Sequence, residues 1–272
     1  MASGVTEKIE LLGKGLYSDA KIPDTLTLKS IPTATELEYV GAEEFDKVML
    51  EKIFPQAIEE SIDFDKLFEI DYYWICRCLR MVNYGPYFTT NSIFCTQCGQ
   101  AHRGSYQVDL RTIPCNPLPE GFVNDILIDR NEFLDFKEDI HLSLMTIKDK
   151  MNLEKDEMFK ESDGRINRVL GRICYMIKTV GTRNNIDPIT ARSIIGKELS
   201  PADYVILRDL SQQYTNYGLV AGGTAVCPKC KNPKASYIAL VDDRFFRLSL
   251  DNLRAWKRER SASNGGGKNK NV

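Results

Sequence analysis

Two Cys-x-x-Cys pairs, Cys95/Cys98 and Cys227/Cys230, stand more than a hundred residues apart, and each leads into a strand-like run. Four thiolates from two such knuckles make the tetrahedral sulfur cage that Zn²⁺ prefers, and a closed four-cysteine site is structural rather than catalytic. A zinc finger closes one local loop. Here one ion would staple distant parts of the chain together, so any fold must bring these two turns to one point.

At 272 residues with 43% apolar and 27% charged side chains, the chain is long enough for one large domain or two small ones and does not need a metal for want of size. Its formal charge of −2 argues against non-specific phosphate binding as its main task. No apolar run approaches the length that crosses a bilayer. The opening Met1–Glu7 lacks the charged and apolar regions of a secretory signal. Eight cysteines without such a signal are read as reduced thiols, four of them metal ligands, in a protein that folds in the cytoplasm.

The pattern along the chain predicts an α+β fold: β-hairpins plus helices in two diverged halves joined by a four-cysteine, zinc-ribbon-like site. Residues 1–8 form a flexible N-terminus, 9–120 the first half, 121–260 the second half, and 261–272 a Gly/Ser/Asn/Lys tail with too little apolar surface to fold. In the first half, Thr25–Ile31 alternates as a half-buried strand. Thr33 and Glu36 stand at capping-box spacing, a helix over 45–60 is interrupted near Pro55, and another runs from about Phe64 to Met81. In the second, a hairpin over 125–137 turns at Arg130-Asn131. Helices are predicted over 143–160, 165–180, 187–196 and 201–214, the last opening on Ser200-Pro201, and a final one near 250–258. Each half runs hairpin, helices, Asn-Tyr-Gly, Cys-x-x-Cys and returning strand. Leu26–Lys29 and Leu134–Lys137 are read as the matching hairpin strands. A tandem duplication explains this order; chance is the competing explanation, because Asn and Gly are common at helix ends.

Cys95, Cys98, Cys227 and Cys230 are therefore the expected metal ligands, with Zn²⁺ the expected structural ion. His102 lies close enough to the first knuckle to replace one thiolate in a Cys₃His set. A redox Cys-x-x-Cys normally opens a helix after a strand, whereas these pairs fall in ribbon-like turns. Cys76, Cys78, Cys115 and Cys174 read as small apolar residues. His141 reads as a surface residue near a helix start, and Glu43/Glu44, Glu59/Glu60 and Asp242/Asp243 as solvated helix ends and turns. No nucleophile–base order and no phosphate loop is present. The basic groups Lys257, Arg258, Lys268 and Lys270 read as a solvated tail.

Taken in order, Gly13-Lys14-Gly15-Leu16-Tyr17, the strand Leu26–Lys29 with Ile31-Pro32-Thr33, the helix Phe64 to Arg80, Asn83-Tyr84-Gly85 and Cys95-x-x-Cys98 resemble the baseplate hub subunit family of T-even-like contractile-tailed bacteriophages. The similarity is best over roughly residues 9–140 and weaker to about 250; the turn Ser18–Pro23 and the basic tail depart from it. The resemblance implies a non-enzymatic structural or assembly protein of a myovirus tail, located in the virion baseplate after assembly in the host cytoplasm. Its implied partners are other hub and wedge proteins and the tail tube, with several symmetric copies around an axis, no membrane, and no nucleic acid. The alternative carried by the knuckles is a zinc-ribbon nucleic-acid-binding accessory protein of phage origin.

Overall fold

The structure, a computed structural model, describes residues 6–17, 21–32, 35, 42–239, 241, 245–246 and 250–265. Within these the fold is α+β, with short helices and antiparallel sheets. The expected capping pair Thr33/Glu36 lies outside the described residues.

Strand β1 (Thr6–Glu10) pairs with β2 (Thr25–Lys29), so the N-terminal flexibility expected through residue 8 does not extend into Thr6–Lys8. Alternation turns Leu26 and Leu28 fully inward, as a half-buried strand requires. Helices α1 (Phe45–Val48) and α2 (Phe54–Ala57) flank a π turn, Met49–Ile53. Pro55 does not break this segment, because it falls just after the π turn has left the regular hydrogen-bond ladder. Helix α3 (Glu69–Tyr84) begins later than its pattern suggests, since Phe64–Lys66 is a separate 3₁₀ turn capped by Asp63. Strands β3 (Tyr87–Cys95) and β4 (Gln100–Asp109) form a long hairpin, followed by β5 (Cys115–Asn116).

Strand β6 (Ile126–Ile128) pairs with β7 (Ile140–Leu142) rather than with the expected 132–137. Leu134–Lys137 is irregular, so it is not the counterpart of β2; β7 is. The helix expected over 143–160 is α4 (Ile147–Lys155) plus a 3₁₀ turn. Helix α5 (Arg168–Met176) stops short of its expected end because Ile177–Val180 becomes β8, a run with β-branched residues that pairs with β7 and turns into β9 (Arg183–Asn184). Helices α6 (Pro188–Lys197) and α7 (Pro201–Thr215) start on Asp187 and Ser200 caps, each with proline in the first turn. Strands β10 (Gly218–Leu219), β11 (Gly222–Ala225) and β12 (Ala235–Ile238) precede α8 (Leu250–Gly265). That helix corrects the expected tail, which was to begin at Ser261; residues 266–272 lie outside the described residues.

Buried residues divide into two cores, and not at residue 120. One gathers buried residues from Ile9 to Ile113, adds Leu144 and Ile147, and then takes residues from the far end, including Cys227, Tyr237, Phe245 and Phe246. The other holds residues from Ile126 to Leu207. The expected second half, 121–260, is thus shared between two lobes, with the second lobe inserted into the first. They join where Glu69 N–H donates to the Met145 carbonyl at 2.9 Å and Ile147 N–H to the Leu67 carbonyl at 2.8 Å. The Arg172 guanidinium beside them grips both oxygens of Glu69, at 3.1 and 2.5 Å.

The two lobes repeat one device. In the first, Asp71, third residue of α3 and fully buried, accepts from the Leu12 and Gly13 amides in the β1–β2 loop and from the Tyr17 hydroxyl. In the second, Asp203, third residue of α7 and fully buried, accepts from the Leu134, Asp135 and Phe136 amides in the β6–β7 loop. Both helices end at Asn-Tyr-Gly, and both glycines take left-handed φ, 75° at Gly85 and 92° at Gly218. Hairpin, anchoring aspartate, helix and glycine stop recur in the same order, which supports a repeated unit on grounds independent of the tripeptide.

Burial pushes the Asp71 carboxyl up to about 6, outweighing its donors Tyr17, Gly13 and Leu12. For Asp203 burial acts the same way, but the amides of the β6–β7 loop and the Ser200 hydroxyl prevail and hold it below the usual range. Because the folded state binds the Asp71 proton more tightly than the unfolded chain does, this group's contribution to stability is greatest below pH ~4 and declines as pH rises to ~6. A rise from 3.8 to about 6 corresponds to roughly 3 kcal/mol. Urea titrations across that window are expected to show this decline in the native chain and to lose it in Asp71→Asn. Replacing the other anchor, Asp203→Ala, leaves three amides without their acceptor, that of Phe136 buried, and is expected to speed hydrogen exchange at Leu134 and Phe136 before it affects the first lobe.

Candidate metal centre

Cys95 ends β3 on the face that carries buried Ile93, and Cys98 lies in the turn to β4. Cys227 follows β11, and Cys230 lies in the turn to β12. In both turns the residue after the second cysteine has left-handed φ, 65° at Gly99 and 61° at Lys231. The knuckles share this left-handed position, and neither opens a helix. The second is tied by the Cys227 N–H to the Asn232 carbonyl at 2.8 Å and by the Lys231 N–H to the Cys227 carbonyl at 3.1 Å.

The four sulfurs lie within 4.8 Å of one another. Cys95 Sγ is 3.6 Å from Cys230 Sγ, and Cys98 Sγ is 3.9 Å from Cys227 Sγ. Sulfurs set about 2.3 Å from a central ion at tetrahedral corners are separated by about 3.8 Å. All four cysteines are free thiols, and the gaps are far wider than a covalent S–S bond of about 2.05 Å. The donor set and its spacing fit a four-coordinate soft metal.

Neighbouring groups support the sulfurs. The Asn232 amide donates to Cys95 Sγ at 3.6 Å, and His102 Nε2 lies 3.4 Å from Cys227 Sγ. His102 thus stands beside the cage, with the four thiols at its corners. Burial resists ionisation of Cys95, but the Cys98 N–H, the Asn232 amide and the adjacent thiols draw it down to about 6. Cys98 moves the other way, pushed up to about 12 by the Cys230 thiol and by burial. Four thiolates at these distances repel one another unless a cation lies among them, so loading the site expels protons.

The hydrogen-bonding role of Asn232 was not foreseen; a carboxamide two residues beyond a knuckle is its only sequence signal. The remaining cysteines stay outside the cluster. Burial raises Cys76 well above the ordinary thiol range, raises Cys78 and Cys174 to about 12, and raises Cys115. His141 lies in β7, not at a helix start, with Nδ1 2.7 Å from Asp125. Glu44 pairs with Lys47 and Lys155, and Glu60 accepts from the Thr27 amide at 2.8 Å. Asp242, Asp243, Lys268 and Lys270 lie outside the described residues. A separate cleft of about 590 Å³ is lined by Phe45, Tyr73, Met151 and Leu219, and Lys150 and Asp46 in its wall pair with each other. None of its lining residues is a cysteine.

No protein-family model matches the sequence, and no curated protein or solved structure gives a significant match. Among the described residues no helix is long and apolar enough to cross a membrane.

Each knuckle supplies only half the cage. Cys95→Ser and Cys227→Ser are each expected to reduce bound metal from about one ion per chain to nearly none, measured by elemental analysis of the dialysed protein. Both should also melt well below the loaded native chain. Chelation of the native protein should reproduce that fall, and chelation of either variant should change little.

Proposed function

We propose that this protein is a zinc-stapled, non-enzymatic structural or assembly component of a contractile phage tail, working in the hub region of the baseplate. The observation that carries the reading is the convergence of Cys95, Cys98, Cys227 and Cys230 at tetrahedral spacing from hairpins far apart in the chain. A closed all-sulfur set leaves no open coordination position for substrate, so its contribution is rigidity. Zinc is the ion assigned, because four thiolates in a tetrahedron select it over oxygen-preferring cations. The sequence resemblance over roughly residues 9–140 supplies the tail assignment, with other hub and wedge proteins as partners.

The test is mass spectrometry of purified intact tails together with metal analysis of the isolated chain. Zinc at about one per chain and co-purification of the chain with hub proteins at high salt are the expected results. A chain that binds no zinc refutes the staple, and one that reaches tail intermediates only through nucleic acid refutes the assembly role.

A further inference from the structure

The surface around the metal centre differs in charge from the rest of the protein. Residues 87–109 and 218–239, which build the β11-β12-β3-β4 sheet, contain Arg103, Lys229, Lys231 and Lys234 and a single carboxylate, Asp109 at the far end of β4, which Arg111 engages at 2.6 Å. All four basic side chains are exposed, although the whole chain carries −2. Phe94 and Ser236 are direct cross-strand partners, and Ser92 pairs with Arg103, so Phe94, Ile238 and Arg103 share the outward face. Phe94 is 46% exposed, Ile238 68%, and Val226 beside the second knuckle 59%. An apolar centre within a cationic rim is the anatomy of a protein-docking face. Nucleic acid is the poorer match, since stacking needs several rings and this centre is mainly aliphatic.

The second lobe carries the complementary surface. Residues 122–141, spanning β6, its loop and β7, hold six carboxylates against Arg130 and Lys137. Arg130 is engaged by Asp139 at 2.6 Å, and Lys137 donates to its own loop at the Leu134 carbonyl. Asp129, Glu132 and Asp135 are exposed there, among Val123 at 67%, Leu127 at 52% and Leu134 at 65% exposure. This patch is acidic where the other is basic, and both are apolar at the centre.

We infer that a second copy of this chain docks its acidic β6–β7 surface onto the basic outer face of the metal-bearing sheet. The two surfaces belong to different sheets, so the contact is head-to-tail. Such a contact leaves a free face at each end and builds a ring or an open chain of copies. The inference depends on these surfaces and not on the tail assignment, so either can fail without the other.

The experiment is sedimentation velocity on the zinc-loaded full chain at low and high salt. Two charge-reversed proteins are compared with it, Arg103→Glu/Lys234→Glu and Glu132→Lys/Asp135→Lys, after their metal content and circular dichroism are matched to the native chain. Native protein is expected to self-associate at low salt and to dissociate as salt rises. Each variant alone should associate at least about tenfold more weakly, equivalent to ~1.4 kcal/mol. An equimolar mixture of the two should recover association, because each then offers the charge its partner lacks. A native chain that stays monomeric overturns the proposal, as does association indifferent to both variants or a mixture that fails to recover. Purification of the native chain with nucleic acid held on the ribbon, released by the Arg103 variant, would also overturn it.

Discussion

The four-sulfur cluster joins the two ends of the first lobe at the edge of its sheet. Hairpins β3–β4 and β11–β12 form one sheet in which the ladder between them consists of a single registered pair, Ser236 with Phe94. One cross-strand pair offsets little of the entropy of a closure spanning 129 residues, so that closure rests on buried side chains such as Tyr237 and on the sulfurs. The sulfurs lie where that ladder is weakest, and an ion bound there would add its free energy directly to folding. Buried Cys95 and Cys227 also belong to the first core, so the sulfur cluster continues the hydrophobic packing inward.

A second tie acts deeper in the lobe. Arg80 is fully buried, and its guanidinium donates to the carbonyls of Phe245, Gly85 and Tyr87 at 3.0, 2.8 and 2.8 Å. It connects the end of α3, the start of β3 and the late segment that precedes α8. A Cβ at Gly85 would fall 2.4 Å from the Trp256 ring, so only glycine lets α8 approach this corner. The cage and the guanidinium therefore fasten the same distant segment at two places.

Much of the site was legible because metal ligation would impose residue type and spacing together: two short motifs specified four cysteines and their convergence. Helix starts were legible where side chains cap them, as at Ser200 and Asp187. Two kinds of feature were not. Ile177–Val180 continues a helical pattern but pairs with β7, because a neighbouring strand determines the outcome for β-branched residues. The anchoring aspartates are single letters whose meaning arises only when a loop 58 or 67 residues upstream folds over them. The insertion of one lobe into the other was equally hidden, since hydrophobic periodicity does not say which core a strand joins.

The inserted topology imposes an order on synthesis. The second lobe is contiguous in the chain and can complete its core while later residues are still being added. The first lobe has its opening strands and α3 early but must wait for residues 227–246 to cover them. Until Cys227 and Cys230 emerge, the nascent protein carries Cys95 and Cys98 as an unmatched pair beside the bare margin of β3. Capture of an ion by all four sulfurs would in this sense be a completion signal, available only to a chain translated past Cys230.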